Sequence, residues 1–362
     1  MRRKILSGLL SLTILFSCVL PGMCIPASAA GQTNAMIGIA GALEELNKAK
    51  RFIEASDPTD RYLGELNATQ ALLQLEGFFK SLNRELTEKT NQVSNRVICL
   101  IASAEYAISD VTLKSVDKAK QAISTVKTNH SIRYTPTGQS AAAATLKGFK
   151  DLQNHKWAEE AILDMSVGTY KGMFGGTTQP NAQGIALFSP NNSITRAEFL
   201  AVVVRAILPD YLAAMPKLSD AAWYENAYHV ASHNRLCDYA LDEKILKAPI
   251  PRQEMALILA NACVVKGEST SSTAKPSEIA DYDKIDEKYR PAVLKAFYKG
   301  LLNGKDDKGT FDPTAVLTRA EGAMVLYRLV NVIARISPFD IQMNEDGFIM
   351  IGSKDILKGF GN

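Results

Sequence analysis

At 362 residues the chain has room for two or three domains with cores of their own. Its 41 basic and 38 acidic side chains nearly balance, which excludes the strong basic excess of a nucleic-acid binder. Five cysteines are too few for a disulfide framework.

Residues 1–30 read as a secretory signal peptide. Arg2, Arg3 and Lys4 are followed by an apolar run from Ile5 to Leu20, and Ala27-Ser28-Ala29 supplies small residues for cleavage after Ala29 or Ala30. That run is short for a bilayer span, and no later stretch is long enough to be one. Lipidation at Cys18 or Cys24 is a minor alternative, because bulky Phe16 and Met23 fit poorly in a small-residue box. Removing the signal leaves 38 basic against 38 acidic groups, a formal net charge of zero, and only Cys99, Cys237 and Cys263.

Residues 31–130 carry helical apolar spacing, and the expected fold is all-α from here onward. Ala42, Leu46, Ala49 and Ile53 mark one stripe. Ala71, Leu72, Leu75, Phe78, Phe79 and Leu82 mark a second, and Val97, Leu100, Ala104 and Ala107 a third. With breaks at Pro58 and Pro136, a bundle of three or four helices is expected, facing outward as a structural or partner-binding domain. Asn67-Ala-Thr69 matches a glycosylation sequon without further support. Residues 131–148 read as a linker.

From residue 149 the chain repeats itself. NSITRAEFLAVVVRAI at 192–207 returns as VLTRAEGAMVLYRLV at 316–330. Phe188 and Phe311 each lie seven residues before the threonine, each followed by x-Pro. Trp157 precedes Gly168 and Gly172 at the spacing with which Tyr289 precedes Gly300 and Gly304. A third copy lies between, with Trp223 66 residues from each aromatic, Asn234 in the place of the first glycine, and Pro251-Arg252-Gln253-Glu254 in the place of TRAE. Asparagine is the residue that best replaces glycine in a left-handed position. Each copy opens with apolar-x-Asp, ending at Asp151, Asp220 and Asp281. Three helix-loop-helix units follow, at 149–208, 218–266 and 279–334, the last two separated by Ser269 to Pro276. Such short helices cannot bury a core alone, so the units are expected to pack together.

Thr195 with Glu198, and Thr318 with Glu321, form capping boxes, and Glu254 takes the corresponding capping place in the middle unit. The arginine inside each motif is a different matter. Arg196, Arg252 and Arg319 stand in a first helical turn, where the dipole disfavours a cation by about 0.3–1 kcal/mol. Arg252 persists even where Pro251 removes the hydroxyl cap. Two explanations are open: a salt bridge to a neighbouring unit, through Asp151, Asp220 or Asp281, or an anionic ligand bound by guanidinium and helix amides.

An aromatic-led helix, a G-x-x-x-G stretch, F-x-P and then [IL]-T-R-A-E resemble the S-layer homology family, in three copies over about half the chain. The resemblance implies a pseudo-threefold helical domain on an exported cell-surface protein of a Gram-positive type envelope. It implies non-covalent binding to secondary cell wall polymer, a peptidoglycan-linked glycan often bearing pyruvylated sugars, in grooves between repeats. The residues expected to meet the anion are Arg196, Arg252 and Arg319, with the loops at Gly172 and Gly304 as groove walls. The middle unit lacks the Phe-x-Pro, the glycines and the threonine, and the first carries nine extra loop residues before Phe188, so one or two grooves could be non-functional.

His229, His233 and Cys237 are spaced like ligands on one helix face, but Asn234 should end that helix and no fourth ligand is evident; no metal and no cofactor is expected. HExxH, nucleophile-elbow and phosphate-loop motifs are absent, so no enzyme is expected. A surface enzyme acting on wall or extracellular polysaccharide, or a small lattice subunit, are the alternatives. In the tail, 335–362, Phe348 to Ile351 could form a short strand or hairpin arm.

Overall fold

A computed structural model describes residues 33–54, 56–89, 93–136, 146–218, 221–268, 275–306 and 308–335, and the backbone of two strands at 339–343 and 349–353. The signal-peptide and lipidation readings, Asp220 and most of both linkers lie outside the described residues. Among the described residues no helix is long and apolar enough to cross a membrane.

Four helices form the N-terminal bundle: α1 (Asn34–Ile53), α2 (Pro58–Lys89), α3 (Asn95–Ser109) and α4 (Ser115–Asn129). The Thr33 hydroxyl caps α1 by accepting from Met36 N at 3.3 Å, and the Asp57 carboxylate does the same for α2 through the amides of Thr59 and Asp60. Ile39, Leu43 and Leu46 of α1 face Leu72, Leu75 and Phe79 of α2 in one buried core. Gly38 lets the helices approach there, since a Cβ would fall 2.3 Å from the Phe78 ring.

The bundle does not simply face outward. Helix α3 is buried on two sides, with Val97, Leu100, Ala104 and Ala107 in the bundle core and Cys99 and Ala102 in the core of the repeats. The stripe legible in the sequence was the first side; the small residues of the second carry too little hydrophobic weight to show as a pattern. The ring of Tyr106 of α3 meets that of Tyr211 of the repeats at 4.3 Å with a tilt of 56°, and Glu44 pairs with Arg235 at 2.8 Å.

The first unit holds α5 (Lys156–Ser166), α6 (Arg196–Ile207) and a short α7 (Pro209–Ala214). Its longer loop pairs back on the entry segment, β2 (Ile185–Ala186) running parallel to β1 (Gly148–Phe149). The second unit holds α8 (Glu225–His233), the one-turn α9 (Glu243–Lys247) and α10 (Arg252–Val265). The third holds α11 (Arg290–Tyr298) and α12 (Arg319–Val330). In the tail, β3 (Phe339–Met343) and β4 (Ile349–Ser353) form an antiparallel pair. The described elements are predominantly helical, and one hydrophobic core runs through all three units, with Ile162, Leu200, Val230, Leu259, Val293 and Leu326 among its members.

The units also close into a ring through their backbones. Ile194, Ile250 and Leu317, the apolar residues just ahead of each motif, are fully buried. Ile250 N donates to Ile194 O at 3.0 Å, Ile194 N to Leu317 O at 2.9 Å, and Leu317 N to Ile250 O at 3.3 Å. The first orphan amide of each second helix is satisfied by the next unit: Arg196 N by Ala248 O, Arg252 N by Ala315 O, Arg319 N by Asn192 O.

The spacing of 66 between the second and third units needs correction. Buried Tyr224, not Trp223, stands where Tyr289 stands, since each directly precedes its helix and is 5% exposed. Trp157 and Trp223 are both exposed, at 54% and 62%. Likewise Asn234 keeps φ −90°, and the left-handed residue is Arg235 at φ 53°, which matches Gly300 at φ 67°. Leu236 N then donates to Ala231 O as Leu301 N does to Ala296 O. The true offset is 65, and two adjacent aromatics allowed the wrong one to be counted.

A charge cluster ties the second unit to the third. Glu268 accepts two bonds from the Arg335 guanidinium, at 2.9 and 2.7 Å, and one from Lys299 at 3.1 Å. Burial alone would raise the Glu268 pKa, but the hydrogen bonds from Arg335 and Lys299 hold it far below the usual carboxylate range. A depressed carboxylate contributes stability above its unfolded pKa and loses it as pH falls toward the folded value. Glu268→Gln should therefore cost about 2 kcal/mol at pH 7, by leaving Arg335 and Lys299 unpaired. Denaturant titrations should show the gap to the wild type closing as pH drops below about 4.

Candidate functional site

Both capping boxes form as the sequence implies. Thr195 Oγ1 accepts from Glu198 N and Thr318 Oγ1 from Glu321 N, each at 3.2 Å, and each glutamate Oε2 accepts from its threonine N at 2.8 Å. Glu254 is not a cap. Pro251 has no N–H for it to accept, so both carboxylate oxygens are free for another task.

That task is the arginine of the neighbouring unit. Glu254 clasps Arg196 in a fork, Nε to Oε2 at 2.6 Å and Nη2 to Oε1 at 2.8 Å. The Arg319 Nη1 reaches Glu198 Oε1 at 3.4 Å, and the Arg252 Nη1 lies 4.0 Å from Glu321 Oε1. Arginines of the first, second and third units thus address the glutamates of the second, third and first. The remaining guanidinium donors go to loop carbonyls of the same neighbour. Arg319 donates to Phe188 O at 2.9 Å and Gly175 O at 3.0 Å; Arg252 to Phe311 O at 2.7 Å and Asn303 O at 3.2 Å; Arg196 to Pro249 O at 3.1 Å. Arg319 and Arg252 also lie over the rings of Phe188 and Phe311, at 4.8 and 5.2 Å. Burial lowers the pKa of both, with Glu321 and Glu198 opposing it, while the hydrogen bond to Glu254 raises that of Arg196.

The two signature aspartates among the described residues, Asp151 and Asp281, do not pair with these arginines. Asp151 accepts from Phe188 N at 2.9 Å and Ser189 N at 2.8 Å, and Asp281 from Phe311 N at 2.7 Å and Asp312 N at 2.8 Å. They pin the Phe-x-Pro loop, whose middle residues Ser189 and Asp312 are left-handed at φ 58° and 59°. This clamp presents the Phe188 and Phe311 carbonyls to the neighbouring arginine.

Between the units lies a cleft of about 140 Å³. Its wall is the loop Phe174, Gly175, Gly176, which follows Gly172, and its floor includes Glu198 and Arg319. The turn at Gly304 instead folds onto Gly309 and supplies the Asn303 carbonyl to Arg252. Two further lining residues are Arg205, which lies outside the motif, and Trp223, the aromatic counted above as leading the second copy. Arg205 is exposed in the last turn of α6, and its Nη1 donates to Met173 O at 3.4 Å. Among the described residues it pairs with no carboxylate. Its position recurs, since Arg328 and Asn261 stand equally far into α12 and α10 and donate to Leu301 O and Leu236 O. An alignment of the three second helices would have shown this.

Helix α8 ends at His233, and Cys237 lies beyond it. The His233 Nδ1 contacts the His229 carbonyl at 2.7 Å. Burial, then His233 and Arg96, push His229 down to about 3, and burial pushes the Cys237 thiol up to about 12. Among the described residues no group of three or more His, Cys, Asp or Glu is placed to hold a metal ion.

The S-layer homology domain family matches residues 278–323, inside the third unit. Residues 278–323 form an S-layer homology domain. The chain is also similar over 199 residues, at 26% identity, to an amylopullulanase of Thermoanaerobacterium thermosulfurigenes, and over 198 residues, at 24%, to exoglucanase XynX of Acetivibrio thermocellus. Each match covers 54% of this chain, but only 10% and 17% of those proteins. A match of that length is longer than the bundle and takes in the repeats. An S-layer homology domain implies anchoring to the cell wall, which puts the chain at the cell surface.

Proposed function

We propose that the chain is held non-covalently on an anionic secondary cell wall polymer, bearing pyruvylated sugars, through the cleft where the first and third units meet. The observation that carries this reading is one cleft shared by an exposed indole, Trp223, and two guanidiniums, Arg205 and Arg319. An indole face takes the apolar face of a sugar ring, and a guanidinium takes a carboxylate in a fork. Arg319 already holds Glu198, so Arg205 is the cation with capacity for a ligand anion. The bundle acts as a structural or partner-binding body rather than a catalytic one, and the site anchors rather than transforms its ligand.

Co-sedimentation with purified cell-wall sacculi tests the proposal. The intact chain should pellet with native walls and stay in the supernatant once the polymer, or its pyruvyl groups alone, has been stripped. Equal retention on stripped walls would overturn it.

A further inference from the structure

A second and larger cleft, about 580 Å³, lies between the bundle and the repeats. Its size falls within the ~300–1,000 Å³ typical of small-ligand sites, and junctions between domains are where such sites concentrate. Its lining combines three chemistries. The rings of Tyr106 and Tyr211, in contact at 4.3 Å and tilted by 56°, give an apolar aromatic surface from both sides of the junction. Three side-chain amides converge from Asn47, Asn234 and Asn261. Asn234 and Asn261 spend their Nδ2 on the carbonyls of Val230 and Leu236, which leaves each Oδ1 to accept from a ligand hydroxyl.

The third chemistry is charge. Lys48, Lys50, Arg51 and Arg235 line the cleft against Glu44 and Glu54. Lys48 and Arg235 are paired with Glu44, and Lys50 with Asp110. Arg51 alone of the four has no carboxylate partner among the described residues. Its Nη2 donates to Val264 O at 3.1 Å and Val265 O at 2.8 Å, at the C-terminal end of α10. That leaves Nε and Nη1 for an acceptor in the cleft.

Aromatic faces, amide acceptors and an uncompensated guanidinium together suit a polyhydroxylated ring bearing an acid. We propose that this cleft is a binding site for a small carboxylate-bearing saccharide, with Arg51 on the carboxylate and Asn234 and Asn261 on hydroxyls. The assignment is independent of the wall-polymer reading, because none of its residues lines the cleft of Trp223.

Calorimetric titration of the intact chain tests it with three probes: a disaccharide carrying one uronate, its neutral counterpart, and acetate. The uronate disaccharide should bind, the neutral one about tenfold more weakly, and acetate not detectably; a tenfold change corresponds to about 1.4 kcal/mol. Arg51→Gln should bring the uronate down to the level of the neutral sugar while wall retention persists. Glu54→Gln, a change at an exposed side chain that removes an acid from the cleft lining, should raise uronate affinity severalfold. Arg205→Gln should leave the heat unchanged, and its loss there would move the ligand to the other cleft and overturn the assignment. Absence of binding by the uronate probe, or equal binding by wild type, Arg51→Gln and Glu54→Gln, would also overturn it.

Discussion

Arg319→Ala should destabilise the protein by about 3 kcal/mol in urea unfolding, whether or not any ligand is present. The side chain is 7% exposed and makes four kinds of contact with the first unit: the Phe188 carbonyl, the Gly175 carbonyl, the Glu198 carboxylate and the ring of Phe188. Truncation strands two carbonyls in a low-dielectric seam and leaves Glu198 without its outer partner. Arg319→Lys should recover less than half of the loss, because a single ammonium cannot reach two carbonyls and a carboxylate at once. A residue kept only for its ligand would behave in the opposite way, with stability intact and binding gone. A measured loss below about 0.5 kcal/mol would therefore reject the arginine as the staple between units.

The double variant Arg205→Gln with Trp223→Ala should keep the wild-type melting temperature yet lose wall binding by about tenfold or more. Both side chains are exposed, and neither belongs to the ring of backbone bonds or to the arginine clasps. An aromatic contact contributes about 0.5–1.5 kcal/mol to recognition, and hydrogen bonds to a charged group about 1.5–3 kcal/mol. Their joint removal separates anchoring from folding, which no substitution at Arg196, Arg252 or Arg319 can do. Retention equal to wild type would place the wall contact elsewhere.

What the sequence disclosed and what it hid divide along one physical line. Capping is a local rule, so Thr195 with Glu198 and Thr318 with Glu321 were readable from four consecutive residues. The arginine was readable as an anomaly, because a cation in a first turn opposes the dipole, but its partner was not. Glu254, Glu321 and Glu198 sit 58, 69 and 121 residues from the arginines they address, and only the closing of the ring brings them together. Asp151 and Asp281 were sound candidates by charge, yet their carboxylates serve the amides of the Phe-x-Pro loop. Glu254 followed from Pro251 in hindsight, since a capping glutamate beside a residue without an N–H has nothing to accept. Arg205 lay outside the repeating motif, exposed in a last turn, and Trp223 was counted as a core-facing aromatic when the tyrosine beside it fills the core.

The most direct test of the anchoring cleft is the fluorescence of Trp223. The chain has two tryptophans, so Trp157→Phe leaves Trp223 as the sole reporter. Titration of that variant with a pyruvylated wall disaccharide should change its emission saturably, and the depyruvylated disaccharide should leave it unchanged. No change with the pyruvylated sugar, under conditions where the protein still sediments with walls, would contradict the placement of the wall polymer against Trp223, Arg205 and Arg319.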